Sequence, residues 1–104
     1  MTRRDPYLWS KYGITEADYD AILEAQGGAC ALCHRPPREG KVLHVDHEHV
    51  FGYDKLPPEK KRKYVRGLVD YSCNKFKIGR TTLAGAKAVY DYLRRPPARL
   101  PGRC

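Results

Sequence analysis

The stretch that decides the fold covers residues 43–49 and reads Leu43-His44-Val45-Asp46-His47-Glu48-His49. An apolar alternation typical of a β-strand runs directly into a group of histidines and carboxylates. Ionisable side chains desolvate poorly unless they are paired or bound to a metal, so core packing alone does not explain the group. The stretch therefore predicts a short strand that carries a reactive site at its end.

The composition predicts one small, basic domain. With 104 residues, 41% of them hydrophobic and 31% charged, a core is expected but a thin one, and small domains often add a structural metal or a disulfide. The formal charge of +8 indicates a polyanionic partner, nucleic acid before membrane, although a charge that serves solubility alone is the alternative. We find neither an apolar run of the roughly 18 residues that a membrane span needs nor a signal peptide. We therefore expect a cytoplasmic protein whose thiols stay reduced.

Reduced cysteines favour a metal site over disulfides. Cys30 and Cys33 are two residues apart, a spacing that lets both thiolates face one zinc ion, and Asp70 with Cys73 supplies the second half because aspartate is an accepted zinc ligand. Three alternatives stay open. Asp70 also stands at the N-cap of a predicted helix, His34 is another possible fourth ligand, and the cysteine pair is also consistent with two small buried hydrophobes.

Turn and capping signals divide the chain into short elements around the reactive stretch. Thr15 and Asp18 form a variant capping box at the start of a helix. The predicted order begins with a basic N-terminal arm at 1–11, a helix at 15–26 and a zinc knuckle at 30–33. A hairpin at 41–69 follows, and its strands at 41–46 and 64–69 flank an exposed basic loop at 50–63. Helices at 71–78 and 83–93 come next, and a Pro/Arg-rich tail at 94–104 ends in a free thiol at Cys104. The sequence thus predicts an α+β domain over residues 12–93. The last helix places an apolar set on one face, namely Leu83, Ala86, Val89, Tyr90 and Leu93.

Four residues of the chain suit the hydrolysis of a phosphodiester, a reaction that needs a base and a cation. Asp46 and Asn74 offer the oxygen ligands that Mg²⁺ or Mn²⁺ prefers. The imidazole of His47, with an ordinary pKa of about 6.5, suits the removal of a proton from water. His49 is placed to contact the phosphate or to assist the metal.

Ordered motifs run from Tyr12 to Gly79: Tyr12-Gly13-Ile14-Thr15, Gln26-Gly27-Gly28, Cys30-x-x-Cys33, Val45-Asp46-His47-x-His49, Val65-Arg66-Gly67-Leu68 and Cys73-Asn74. Together they resemble the recombination endonuclease VII family of His-Me finger (ββα-metal, HNH-like) nucleases, best known from bacteriophages. The resemblance implies a small ββα-metal finger with a zinc knuckle, flanked by N-terminal and C-terminal helices. It also implies a metal-dependent DNA endonuclease that leaves 5′-phosphate and 3′-hydroxyl ends, in the cytoplasm of a bacterium or a phage-infected cell.

The resemblance also assigns residue roles. It implies that Asp46 and Asn74 bind a catalytic Mg²⁺ or Mn²⁺ ion, that His47 is the general base and that His49 is a second active-site histidine. The structural zinc would be held by Cys30, Cys33 and Cys73, with Asp70 where the family has a fourth cysteine.

Two further features depart from the family pattern. Lys77 stands where the junction-resolving member of the family has an acidic residue, and the loop after His49 is longer and more basic than the short family turn. We expect duplex or branched DNA as partner, with plain cleavage favoured over junction resolution, and leave monomer and homodimer open. The expected DNA contacts are Lys60, Lys61, Arg62, Lys63 and Arg66, and a solvated basic loop is the alternative.

Two other functional classes compete with a DNA nuclease. One is a zinc-stabilised DNA-binding module without catalytic activity. The other is an RNA-binding or ribonucleolytic protein, in which Tyr71 and Phe76 would stack on bases. An intact set of Asp46, His47 and Asn74 favours the nuclease.

Overall fold

The structure is a computed structural model that describes residues 4–99. The predicted α+β class is confirmed, because short helices surround a two-stranded antiparallel sheet. The regular elements are α1 (Arg4–Tyr12), α2 (Glu16–Ala25), β1 (His44–His47), α3 (Pro58–Lys61), β2 (Val65–Val69), a π-helix (Cys73–Ile78) and α4 (Leu83–Arg94), with short 3₁₀ turns at Tyr53–Lys55, Arg62–Tyr64 and Pro97–Arg99. The predicted free thiol of Cys104 lies outside the described residues.

Helix α1 occupies most of the segment that the sequence predicts as a basic arm. Leu8 enters the core and Tyr12 packs against it, and these two contacts anchor a helix that is otherwise polar. The helix ends at Tyr12, and the next residue, Gly13, adopts a φ of +70° while its N–H donates to the Trp9 carbonyl. The sequence does not predict this helix, because one buried leucine in a polar segment gives too weak a periodic signal.

Helix α2 begins with the predicted capping box. The Thr15 hydroxyl accepts from the Asp18 N–H at 3.1 Å, and the Asp18 carboxylate accepts from the Thr15 N–H at 2.9 Å. The buried Tyr19 donates its hydroxyl to the Leu43 carbonyl at 2.5 Å, which ties α2 to the chain just before β1.

The residue after α2, Gln26, bonds the backbone of β2 from the side. Its amide accepts from the Leu68 N–H and donates to the Leu68 carbonyl, both at 2.9 Å. The side chain thus takes the place of a third strand. A Cβ atom on Gly67 would come within 3.1 Å of the Gln26 amide oxygen, so the glycine allows this close approach.

Strands β1 and β2 pair over His44↔Val69, Val45↔Leu68, Asp46↔Gly67 and His47↔Val65. The register shifts after Asp46, so Arg66 is an extra residue in β2, as in a β-bulge. Strand β1 begins at residue 44 rather than at the predicted 41. Asp70, the residue after β2, would be the next partner of β1, but its N–H donates to the Cys30 sulfur instead of continuing the ladder.

The core lies between this sheet and the first two helices. Its buried residues are Leu8, Ile14, Tyr19, Cys30, Leu43, Val45, Leu68, Val69 and Cys73. Helix α4, capped by the Thr82 hydroxyl, contributes no buried residue to it. On the predicted apolar face of α4, Leu83, Val89, Tyr90 and Leu93 are each more than half exposed. Within residues 4–99 no helix has the length and apolar character needed to cross a membrane.

The segment 50–63, predicted as an exposed basic loop, keeps most of its side chains exposed but contacts the end of α1 through Tyr53, Lys61 and Arg62. Three donors of this segment bond carbonyl groups at the C-terminal end of α1: Lys61 Nζ to Ser10 at 2.9 Å, the Tyr53 hydroxyl to Lys11 at 2.6 Å and Arg62 Nη1 to Gly13 at 3.0 Å. The last carbonyls of a helix lack partners within it, and positive charge beside them is favourable.

Candidate functional site

The predicted metal ligands converge in one cluster. Ligand atoms of Cys30, Cys33, Asp70 and Cys73 all lie within 4.8 Å of one another. Three thiolates and one carboxylate can hold a metal ion such as zinc, which is usually four-coordinate in structural sites. His34 is not a member of this group; it occupies the left-handed turn after Cys33, with a φ of 63°.

The position of Asp70 is compatible with both roles that the sequence left open, a helix cap and a metal ligand. Its Oδ1 accepts from the Cys73 N–H at 2.8 Å, as an N-cap does, while its Oδ2 lies 3.3 Å from the Cys33 sulfur. The bond from the Cys73 N–H, followed by that from Cys33, holds the pKa of Asp70 below its ordinary value. One oxygen is therefore occupied by backbone and the other faces the sulfurs.

The thiols differ in how readily they ionise. Burial opposes ionisation of Cys30, but bonds from the N–H groups of Cys33, Asp70 and Leu32 outweigh it and lower the pKa of Cys30 to about 7. Burial raises the pKa of Cys73 to about 12, and the neighbouring Cys30 and Cys33 add to the effect. A cation in the cluster would favour the thiolates, so metal binding here would release protons.

A second cluster forms at the bulge in the sheet. The carboxylate of Asp46, only 6% exposed, accepts two bonds from the Arg66 guanidinium, Nε to Oδ2 at 2.7 Å and Nη2 to Oδ1 at 3.0 Å. The same guanidinium donates to the carbonyls of Thr81 at 3.2 Å and Gly79 at 3.5 Å. Arg66, which the sequence predicts as a DNA contact, is thus bound to Asp46 in this structure.

His47 lies between two other rings. Its imidazole stacks on the Tyr53 ring, with centroids 4.2 Å apart and planes inclined by 19°, and on the His49 ring at 4.6 Å and 30°. Burial and the nearby His49 lower the pKa of His47, so the neutral imidazole that accepts a proton predominates at neutral pH. The sequence analysis missed Tyr53, because an aromatic residue in a polar segment carries no local sign of its partner.

Asn74 lies in the π-helix that follows the metal cluster. Its N–H donates to the Asp70 carbonyl at 2.9 Å, and its own carbonyl accepts from the Gly79 N–H at 2.8 Å. Because Arg66 bonds both Asp46 and the Gly79 carbonyl, it joins the π-helix to the strand that carries Asp46.

An open cleft of about 370 Å³ lies beside this second cluster. Its lining includes His49, Arg66 and Arg80, together with Glu48 and the start of α4. Because Arg66 is already paired with Asp46, the Arg80 guanidinium and the His49 imidazole are the groups at this wall that suit an anion such as phosphate.

The four predicted basic contacts of residues 60–63 fall into two groups. Lys60 and Lys63 are exposed. Lys61 is 8% exposed, and its ammonium is engaged by the end of α1, so it is not available to a phosphate in this structure. Arg62 bonds the same helix end and pairs with Asp18 at 3.1 Å. The basic run is therefore partly structural.

Comparison with known proteins confirms the resemblance. Residues 6–95 match the family model of recombination endonuclease VII, and the chain belongs to this family. It is 42% identical over 93 residues to the Gene 59 protein of Mycobacterium phage D29, and 39% identical to that of Mycobacterium phage L5. Each match covers 88% of this chain and 50% of the relative, so the chain spans about half the length of these relatives. No solved structure matches the chain.

Proposed function

We propose that residues 12–93 of this endonuclease VII family member form a His-Me finger unit that hydrolyses DNA phosphodiester bonds with one divalent ion. One observation carries the proposal: a buried carboxylate, that of Asp46, and a neutral imidazole, that of His47, lie side by side at one β-bulge. Bulges frequently re-aim side chains at active sites. Asp46 and His47 are adjacent in the chain, yet one meets a guanidinium and the other an aromatic ring.

Carboxylate and amide oxygens are the ligand types that a hard cation prefers. A carboxylate offers about four lone-pair sites, and Arg66 uses two of those on Asp46, so the remainder is available. Asp46 and the side-chain oxygen of Asn74 would hold Mg²⁺ or Mn²⁺. When bound, the ion would supply stabilisation of the charge that develops on the phosphate and on the leaving oxygen.

The histidines would do the proton transfer and phosphate contact. His47 is kept neutral by burial and by His49, and it would take the proton from the attacking water. The exposed His49 lines the cleft beside Arg66 and Arg80, where it would contact the scissile phosphate. Lys60, Arg62 and Lys63 are exposed, but Arg62 is bonded to the end of α1 and paired with Asp18. Lys60 and Lys63 would therefore contact the DNA backbone rather than its bases.

The zinc cluster would act as a structural clamp. It connects the knuckle after α2 to the chain that leaves β2 and enters the π-helix. In zinc-finger peptides such a site contributes about 10–16 kcal/mol of binding free energy, which would support a domain with a thin core.

A non-catalytic DNA-binding module is the second candidate, and the Arg66–Asp46 pair favours it. A guanidinium that already neutralises the carboxylate competes with any metal ion there. The two candidates differ in one observable, which is whether the zinc-loaded chain nicks DNA.

The deciding experiment is a plasmid-nicking assay with Mg²⁺ or Mn²⁺, run beside DNA binding by the same protein. The His47→Ala change should lower the cleavage rate by about 10²–10⁴ while binding is retained, the range for loss of a general base. His44→Ala is the matched control, since His44 is exposed on the same strand and lies against Tyr71 instead. Binding without nicking by the wild type would establish the second candidate. Duplex, branched and single-stranded DNA and RNA substrates would separate a ribonuclease from both.

A further inference from the structure

Tyr53 is buried in an unusual place. Among the described residues it is the one buried hydrophobic side chain outside the core cluster, and it is 7% exposed. Its ring lies nearly parallel to that of His47, and its hydroxyl donates to the Lys11 carbonyl at 2.6 Å. Burial, with the carboxylate of Asp54 adding to it, raises the pKa of Tyr53 to about 12, so the hydroxyl remains a donor.

The Tyr53 ring is itself held by its surroundings. The Lys61 ammonium lies 5.3 Å from the ring centroid and is bonded to the Ser10 carbonyl. The Tyr64 ring meets it edge-on, with centroids 6.2 Å apart. Contacts from α1, Lys61 and Tyr64 thus hold the Tyr53 ring in place, and the His47 ring stacks on it and on the His49 ring.

We propose that Tyr53 is a positioning residue for His47, fixing the plane of the imidazole through ring stacking from the segment that joins the two strands. The inference rests on the proposed function, because it assigns the orientation of the proposed base. A base acts efficiently only when its nitrogen lies within hydrogen-bond reach of the proton, and small misplacements of a reacting group cost about 10²-fold in rate.

The test uses the zinc-loaded full chain and a supercoiled plasmid, with binding measured on a duplex oligonucleotide. Tyr53→Leu removes the planar ring, whereas Tyr53→Phe keeps the ring and removes only the hydroxyl. Tyr53→Leu should lower kcat by about 10- to 100-fold with KM and DNA binding little changed, and Tyr53→Phe should restore most of the rate. Tyr92→Leu, an exposed tyrosine of α4, is the matched control.

A merely structural role is separated by repeating Tyr53→Leu in the His47→Ala background. A residue that acts through His47 has no further effect once the imidazole is absent, so the two changes should be strongly non-additive. Full additivity, or an unchanged kcat in Tyr53→Leu, would overturn the inference. Equal losses of kcat in Tyr53→Phe and Tyr53→Leu would overturn the inference too.

Folding and function are checked in parallel. Zinc content and melting temperature are measured for each variant. If Tyr53→Leu does not fold, Tyr53→Met replaces it, because methionine keeps the apolar volume without a planar ring. A wild-type chain that does not cut overturns the proposed function and this inference with it. If the wild type cuts and His47→Ala does not, an unaffected Tyr53 variant overturns the inference alone.

Discussion

Replacing Arg66 with methionine should leave Asp46 buried and without its partner. The Asp46 side chain is 6% exposed and that of Arg66 is 30% exposed. Removing one partner of a fully buried ion pair costs about 3–5 kcal/mol; because water reaches Arg66, we expect a loss of about 2–3 kcal/mol in the free energy of unfolding. Methionine keeps the apolar stem, so the loss reports mainly on the charge.

A divalent ion should reverse this loss if Asp46 is an ion ligand. An ion that binds only the folded state, at a hundred times its dissociation constant, stabilises that state by about 2.7 kcal/mol. The variant should therefore gain more from Mg²⁺ or Mn²⁺ than the wild type, in which Arg66 competes for the same oxygens. The measurement is urea unfolding of zinc-loaded protein in metal-free buffer, with and without the added ion.

The matched control is Lys87→Met, which breaks the exposed pair with Asp91 on α4. That change should cost less than about 0.5 kcal/mol and should not alter the response to the ion. If Arg66→Met loses the same stability with and without Mg²⁺ or Mn²⁺, the Asp46 carboxylate does not face an ion and the reasoning is refuted.

Three other changes test separate parts of the structure. Asp70→Ala should weaken zinc binding by about 100-fold or more in a chelator competition, and Asp70→Cys should restore it; unchanged zinc affinity in the alanine variant would show that Asp70 only caps the helix. Gly13→Ala should lower the free energy of unfolding, measured thermally, by about 2–4 kcal/mol, because φ is +70° and the new Cβ would lie 1.9 Å from a backbone oxygen of α3. Gly52→Ala is the control: its φ is +77° but the space around it is open, so the loss should be about 1 kcal/mol. Lys60→Gln should reduce the slope of log binding constant against log salt concentration for DNA by about 0.9. Lys61→Gln should leave this slope unchanged, because the Lys61 ammonium bonds α1. A reduced slope in the Lys61 variant would contradict the buried position of that side chain.

Features with local causes could be predicted from the sequence. The bond pair between Thr15 and Asp18 needs only a spacing of three residues, and Cys30 with Cys33 forms half a metal site through a single turn. The two strands follow from short alternating segments. In each case the residues that determine the feature are neighbours in the chain, so the pattern is visible in a single sequence.

Features with distant causes could not be predicted. The hydroxyl of Tyr53 bonds a carbonyl 42 residues earlier in the chain, and no periodicity connects the two positions. The bulge that brings Arg66 to Asp46 depends on the register between two strands, not on the composition of either. Lys61 belongs to a charge run that is normally solvated, and its burial follows from a helix end supplied by another segment.

The two clusters are connected through β2 and the π-helix, so zinc removal should affect both. Strand β2 carries the bulge at Arg66 and ends just before Asp70. The π-helix runs from Cys73 to Ile78, and Arg66 bonds the carbonyl of the next residue, Gly79. A free-energy contribution of about 10–16 kcal/mol from zinc is comparable to the whole stability of a typical domain, about 5–15 kcal/mol, so chelation should unfold the chain. Circular dichroism should show this loss, and readded zinc should restore it where Mg²⁺ does not. A chelated chain that keeps its fold would mean that the thiols pack as small hydrophobes, and that the site at Asp46 does not depend on a metal clamp.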